Sequence, residues 1–129
     1  MSVTTFLMFQ GGCEEAVRSY VSLIADSAID TVERWAAGEP GKEGSVKRIL
    51  FRLGGTRYIA LDSPAKHAFT FTPSISLFVE CASEAEIDRL YAALIDGGQA
   101  LMPLGNYGFS KKFGWLNDRH GVSWQLNWT

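Results

Sequence analysis

The same pattern of apolar residues occurs twice along this chain, with the second copy 70 positions after the first. In the segments 13–26 and 83–96, apolar side chains recur at the i, i+3, i+4, i+7 spacing of an amphipathic helix. The matched positions are Val17 and Ile87, Tyr20 and Leu90, Val21 and Tyr91, and Ile24 and Leu94. A strand-like segment precedes each helix, at 4–9 and at 74–79. Two copies are too few for a stacked solenoid, so the pattern predicts a duplicated unit.

Three further strand-like segments follow each predicted helix. They are 28–35, 46–53 and 57–62 in the first half, and 99–104, 113–117 and 122–128 in the second half. A glycine-containing turn, at Gly54-Gly55 or at 118–121, joins the last two strands of each half as a hairpin. This order predicts an α+β fold of two βαβββ modules within a single domain, 1–129. The first module covers about 1–62, a hinge covers 63–73, and the second module covers about 74–129.

Composition and charge exclude several classes of protein. A mass of 14.2 kDa and a hydrophobic share of 47% are typical of one globular domain. Because the net charge is −2, no basic face is indicated and we expect no nucleic-acid partner. No apolar run approaches the roughly 20 residues of a membrane span. The first residues also lack the features of a secretory signal, so we expect no membrane partner and a cytoplasmic location. Cys13 and Cys81 are then expected to be reduced thiols in apolar surroundings.

Alternation along the predicted strands separates a face that packs against the helix from an opposite face of mixed polarity. The helix face is expected to carry Ile75, Leu77, Val79, Trp124, Leu126 and Trp128. The opposite face is expected to carry Thr4, Phe6, Met8, Tyr58, Ala60, Asp62, Ser74, Ser76, Phe78, Ser123, Gln125 and Asn127. This mixture is typical of a half-apolar cavity that binds a small molecule. A homodimer interface or a mixed exposed face would give the same pattern.

The segment 105–115 is rich in glycine and in aromatic residues. Its aromatic side chains are Tyr107, Phe109, Phe113 and Trp115, and it also contains Lys111 and Lys112. We expect the segment to form part of the cavity rim, with Tyr107 and Trp115 in contact with the ligand and the lysines attracting an anionic group. The alternative is that the aromatic groups cover the hydrophobic core or a dimer interface while the lysines are solvated.

Three stretches resemble the PhnB-like branch of the vicinal oxygen chelate superfamily, which includes glyoxalase I and bleomycin resistance proteins. They read FLMFQGGCEEAVRSY, ISLFVECASEAEIDRLYAAL and YGFSKKFGWLNDRHGVSWQLNW, and together they cover most of the chain in the expected order. The resemblance implies a mixed sheet curled into an open cup, with both helices on its outer face. It also implies a homodimer.

The superfamily usually holds a divalent metal with side chains from four strands. Carried onto this chain, the four positions fall near Thr4, Ala60, Ser74 and Gln125. None of them is a histidine or a carboxylate, and only Gln125 offers a weak oxygen ligand. We therefore expect no metal cofactor, with a divalent ion held by Asp62 and Gln125 as the alternative. His67 and His120 fall in a linker and a turn, where solvated histidines are expected.

Many relatives in this branch carry a ubiquinone methyltransferase label. The sequence offers little for that chemistry, because Gly11-Gly12 is short of the glycine-rich loop that cradles a nucleoside cofactor. Two main functions stay open at this point. The first is a metal-free protein that binds a small, partly apolar molecule. The second is a divalent-metal-dependent lyase, isomerase or dioxygenase that acts on a small oxygenated substrate. A structural or regulatory dimer with a filled cup is a third.

Overall fold

The chain consists of two compact units, which a computed structural model describes over all of residues 1–129. The first unit is Met1–Ala68 and the second is Phe69–Thr129. The boundary between them falls within the predicted hinge at 63–73. That the two units form a single domain stays a prediction. No helix in the chain combines the length and the apolar character that a membrane crossing requires.

Each unit has the predicted order of one strand, one helix and three strands. The first unit contains β1 (Thr5–Phe9), α1 (Cys13–Leu23), β2 (Ala28–Arg34), β3 (Val46–Leu53) and β4 (Thr56–Asp62). The second contains β5 (Leu77–Glu80), α2 (Glu84–Ile95), β6 (Gln99–Gly105), β7 (Lys112–Asn117) and β8 (Ser123–Trp128). The predicted α+β fold of two βαβββ modules is therefore confirmed.

The two units share one sheet topology. The strand order is β1-β4-β3-β2 in the first sheet and β5-β8-β7-β6 in the second, and both sheets are open. In each sheet the first strand runs parallel to the last, whereas the remaining neighbours are antiparallel. A parallel pair needs a crossover connection, and the helix is part of it. Duplication of one supersecondary unit accounts for this identity of topology.

Each helix packs on one face of its own sheet. The predicted apolar stripes are buried at Val17 and Tyr20 in α1 and at Ile87, Leu90 and Leu94 in α2, whereas Val21, Ile24 and Tyr91 are only partly buried. Ser83 begins α2 by accepting a hydrogen bond from the Glu86 amide, as the capping-box pattern predicts. Helix α1 ends at Leu23, earlier than the predicted 26, because Ile24 is already extended and Asp26 adopts a φ of 55°. The core of each unit thus lies between its helix and its sheet.

Strand β5 begins later than expected. Residues 74–79 were expected to form the strand, but Ser74 lies in a turn in which its hydroxyl bonds to Thr72 at 2.8 Å. The preceding Pro73 has no amide to donate to a strand ladder, which favours the turn. Ile75 is consequently 77% exposed and does not pack against α2, which corrects its predicted place on the helix face.

The faces of β4 are the reverse of the prediction. The register pairs Leu7 with Ala60, and both side chains are buried on the side of α1. Because alternate residues share a face, Tyr58 and Asp62 lie on the helix side with Ala60. The prediction that they face away from the helix is therefore wrong. The parallel pairing with β1 sets this register, and it could not be inferred from β4 alone.

Candidate functional site

The second unit carries a mixed polar and aromatic surface on the sheet face away from α2. The register places Phe78 and Trp115 on either side of Gln125, with all three side chains on this face. Leu126 and Gly114 form the next row on the helix side, where Gly114 lies against the ring of Tyr91 in α2. The predicted facing of Phe78 and Gln125 is thus the facing that the structure has, and Trp115 shares it.

A hydrogen-bonded chain links side chains across this face. The indole Nε1 of Trp115 donates to Oγ of Ser123 at 2.9 Å. The hydroxyls of Ser123 and Ser76 are 2.7 Å apart, and Nε2 of Gln125 donates to Oγ of Ser76 at 3.3 Å. Ser123 is only 2% exposed, so these bonds keep a buried hydroxyl satisfied. We call Trp115, Ser123, Ser76 and Gln125 the polar chain. Three of them were predicted site residues, and Ser123 was predicted to lie on this face without a role in the site.

Two buried carbonyl oxygens lie on the same face without a hydrogen-bond partner. They are Oδ1 of Asn117 and Oδ1 of Asn127. The amide nitrogen of Asn127 donates to the Glu80 carboxylate at 2.9 Å, so its oxygen must point away from that carboxylate. An unsatisfied buried acceptor costs about 1–3 kcal/mol, and a donor from water or from a ligand would relieve that cost. Asn117 and Glu80 were missed in the sequence, although Asn117 follows Trp115 at the strand period of two.

Two predicted site residues of the second unit are used elsewhere. Ser74 bonds to Thr72 in the turn before β5. The hydroxyl of Tyr107 donates to the Pro103 carbonyl, and its ring packs edge-on against Phe113 at 6.2 Å. Phe109 also packs against Phe113, which is only 5% exposed. The register pairs Phe113 with Asn127 on the face away from α2, so Tyr107 and Phe109 lie beside that face.

The lysines of this loop already have partners. The Lys111 ammonium lies 4.9 Å from the centre of the Trp128 ring. Lys112 bonds to Asp88 at 2.7 Å and to Glu84 at 3.2 Å, both on α2. These carboxylates raise the pKa of Lys112, and the hydrogen bond that Lys112 donates to Asp88 has the largest effect. The charge of Lys112 is therefore already compensated by two carboxylates, whereas Lys111 has no carboxylate partner.

In the first unit, the face away from α1 is apolar at the corresponding positions. Phe6 lies beside Ile59 and Met8 beside Leu61. Phe6 is 50% exposed, so a large apolar surface is accessible there. The prediction that Phe6 and Met8 face away from the helix agrees with this register. On β4, however, the residues that share this face are Ile59 and Leu61, and not the predicted Tyr58 and Asp62.

Asp62 instead binds the beginning of α1. Its Oδ1 accepts hydrogen bonds from the amides of Gly11 at 2.9 Å and Cys13 at 3.1 Å. These amides have no partner within the helix, and a carboxylate there also complements the helix dipole. Burial, with smaller contributions from Asp62 and Glu14, raises the pKa of Cys13 to about 12. Cys13 and Cys81 are both free and buried, as expected.

The donor groups of this chain do not fit a divalent metal. No group of three or more histidine, cysteine, aspartate or glutamate side chains comes together anywhere in residues 1–129. Of the four positions implied by the resemblance, Ala60 is buried against the helix and Ser74 lies in a turn. The alternative ligand Asp62 uses one carboxylate oxygen at the α1 terminus.

The two histidines lie in connecting segments. Nε2 of His67 is 2.8 Å from the Ser63 hydroxyl. The His120 amide donates to Oδ1 of Asp118, which also accepts from the Val122 amide. The second carboxylate oxygen of Asp118 accepts from the Trp124 indole at 3.0 Å. Asp118 therefore organises the β7–β8 turn, a role for which the sequence analysis had no signal beyond its turn position.

Comparisons with known proteins agree with this fold. The family described as 3-demethylubiquinone-9 3-methyltransferase matches residues 1–127. The PhnB protein from Bacillus cereus is 50% identical, with a TM-score of 0.96 and full coverage of both chains. Protein PA1353 from Pseudomonas aeruginosa is 28% identical, with a TM-score of 0.79, over 99% of this chain and 97% of that one.

A more distant neighbour extends the relationship at the level of fold. It is a glyoxalase/bleomycin resistance protein/dioxygenase from Alicyclobacillus acidocaldarius, 12% identical, with a TM-score of 0.57 over 99% of this chain and 90% of that one. No curated protein matches the chain. From the match over residues 1–127 and the 50% identity to the PhnB protein, the chain belongs to the family described as 3-demethylubiquinone-9 3-methyltransferase.

Proposed function

We propose that this protein binds a small, partly apolar molecule on the face of the second unit's sheet that lies away from α2, without a metal ion. The polar chain is the observation that supports this most strongly. Its hydroxyls and amide are held in defined orientations by one another, as groups that orient a ligand must be. Phe78 adjoins Gln125 and is 59% exposed, which provides apolar area beside the polar groups.

The two buried carbonyl oxygens support a ligand that carries hydrogen-bond donors. Asn117 lies on β7 directly beside Ser123, which is a member of the polar chain. Its Oδ1 lacks a partner, so a ligand hydroxyl or amine that reached it would gain a hydrogen bond without displacing another. The proposed ligand therefore combines an apolar body with at least one donor group.

The proposal is one of binding and does not include methyl transfer, despite the description that the family carries. A cofactor nucleoside or phosphate would need free backbone amides at the strand-to-helix turn of Gly11 and Gly12. The amides of Gly11 and Cys13 there already donate to Asp62. The donor set likewise supports no step through a divalent metal.

A ligand screen by thermal shift tests the proposal, run on the full chain with and without Zn²⁺, Mn²⁺, Ni²⁺ and Mg²⁺. Ligand at 100 times its Kd should stabilise the protein by about 2.7 kcal/mol. We expect hits in the presence of chelator, weakened about tenfold by Gln125→Leu. The control is Ser19→Leu, since Ser19 is exposed on helix α1, outside the second unit, and its hydroxyl forms no hydrogen bond.

Three outcomes would overturn the proposal. Hits that appear only with a stoichiometric divalent metal would favour the metal-dependent enzyme. Equal weakening by Gln125→Leu and Ser19→Leu would remove the polar chain from the site. A complete absence of hits from a broad library of amphipathic molecules would favour a structural or regulatory role.

We also propose that the protein is a homodimer in the cytoplasm. Open sheets leave strands with unpaired edges, and such edges favour association. Exposed Phe6, Ile75 and Phe78 would gain from burial in an interface. Light scattering at micromolar concentration should give twice the chain mass of 14.2 kDa. A single-chain mass would contradict the dimer.

A further inference from the structure

The first unit contains a cavity of about 530 Å³. It is lined by residues of β2, β3 and β4, among them Asp30, Leu50, Arg52, Arg57, Tyr58 and Ile59. Its volume lies within the range of about 300–1,000 Å³ that small-molecule sites occupy. No residue of the second unit lines it, so an inference about it does not depend on the function proposed above.

Two arginines face each other across neighbouring strands in this cavity. The register pairs Arg52 of β3 with Arg57 of β4, and both side chains lie on the face away from α1. Like charges placed directly opposite each other in a sheet are destabilising. An anion bound between the two guanidinium groups would offset that repulsion.

The two arginines differ in what they already bind. Arg52 donates to both carboxylate oxygens of Asp30, at 3.1–3.2 Å. Arg57 is exposed, and its side chain forms neither a hydrogen bond nor an ion pair. Among the residues that line the cavity, one carboxylate faces two guanidinium groups, which leaves a single excess positive charge. Asp26, outside the lining, interacts electrostatically with Arg52, so the uncompensated charge is that of Arg57. That charge matches a monoanion.

An apolar row adjoins the arginine row on the same face. Leu50 pairs with Ile59 two residues along from the arginines, and Ile59 pairs in turn with Phe6. A ligand whose anionic group met Arg57 could therefore lay an apolar body over Leu50 and Ile59. A planar carboxylate fits the fork of a guanidinium group through two parallel hydrogen bonds.

We propose that this cavity binds a monocarboxylate with a hydrophobic body, with Arg57 as the residue that binds the carboxylate and Leu50 and Ile59 as the apolar floor. The arrangement of charge and apolar surface selects the class of ligand. Phosphate fits less well, because its dianion exceeds the single positive charge and it has no apolar surface to cover Leu50 and Ile59.

Calorimetry on the full chain tests this with 4-phenylbutyrate as the probe and 4-phenylbutyramide as its neutral counterpart. We expect the carboxylate to bind at least about tenfold more tightly than the amide, and Arg57→Gln to remove that difference. The matched control is Arg48→Gln, which we expect to leave the Kd unchanged. Arg48 lies on the same strand and face as Arg52 and forms an ion pair with Glu33 at 2.9 Å. Because Arg57→Gln removes one of two opposed positive charges, we expect its melting temperature to be no lower than that of the parent. If that variant does fold poorly, Arg57→Lys keeps the charge but loses the fork, and should weaken binding about threefold.

The proposal is overturned if 4-phenylbutyrate shows no binding up to millimolar concentration. It is equally overturned if the amide binds as well as the carboxylate, or if Arg57→Gln and Arg48→Gln weaken binding alike. Inorganic phosphate that binds as tightly as 4-phenylbutyrate would overturn the assignment to a hydrophobic carboxylate.

Discussion

Trp115 and Ser123 are joined by a hydrogen bond of 2.9 Å from the indole Nε1 to the serine Oγ, across the neighbouring strands β7 and β8. The bond fixes the orientation of a half-buried aromatic ring at the centre of the sheet face that lies away from α2. Ser123 is in turn hydrogen-bonded to Ser76, and Ser76 accepts a hydrogen bond from Gln125, so these side chains are also held in place. Groups that are already ordered lose less entropy when a ligand binds, so this face is suited to binding.

Asp62 should stabilise the fold without taking part in ligand binding. Asp62→Ala removes the acceptor for the Gly11 and Cys13 amides and is expected to cost about 1 kcal/mol in the free energy of unfolding. Asp62→Asn keeps a carbonyl oxygen and should lose less. Urea denaturation measures both. If Asp62→Ala were as stable as the parent but lost ligand or metal binding, the placement at the α1 terminus would be wrong.

Gly98 is expected to tolerate no side chain. A Cβ at this position would overlap the backbone carbonyl oxygen of Asn117, which cannot move without disturbing β7. Gly98→Ala should therefore destabilise the protein by about 3 kcal/mol, as overpacking against backbone does. Gly105→Ala is the control, because the nearest atom to its Cβ would lie at 3.9 Å. Equal midpoints in urea for the two variants would contradict this prediction.

The buried thiol of Cys13 makes the fold less stable at alkaline pH. Its pKa is about 12 in the folded protein, whereas the thiol of the unfolded chain titrates near its ordinary value of 9.0. Between these values the unfolded state binds fewer protons than the folded state, so the free energy of unfolding falls as pH rises above about 9. Urea denaturation at pH 8 and pH 10 should show a steeper fall for the parent than for Cys13→Ala. Identical falls would contradict the burial of this thiol.

The fold could be predicted because its two halves repeat one hydrophobic period. The stripes around Val17 and Ile87 identify the helices, and a helix stripe leaves little choice about which side is buried. In β8 the large apolar Trp124 and Leu126 alternate with polar residues, so the two faces were also assigned correctly.

Strand β4 shows where such reasoning fails. Ile59 and Leu61 alternate with Tyr58 and Ala60, so both faces contain apolar groups and the period of two carries almost no information. The register with β1 decides which face packs against α1. The polar chain could be anticipated only in part for a similar reason, because the contact of Ser123 with Ser76 depends on the parallel pairing of β5 with β8.

The indole N–H resonance of Trp115 tests the binding site most directly. The chain has four tryptophans, and Trp115→Phe identifies the signal of Trp115 in a ¹H–¹⁵N spectrum. During titration with the strongest ligand from the screen, in chelator, we expect this resonance to shift with saturation while that of Trp35, in the first unit, stays fixed. A ligand that saturates the protein with the Trp115 resonance unmoved would contradict the assignment of this face as the binding site.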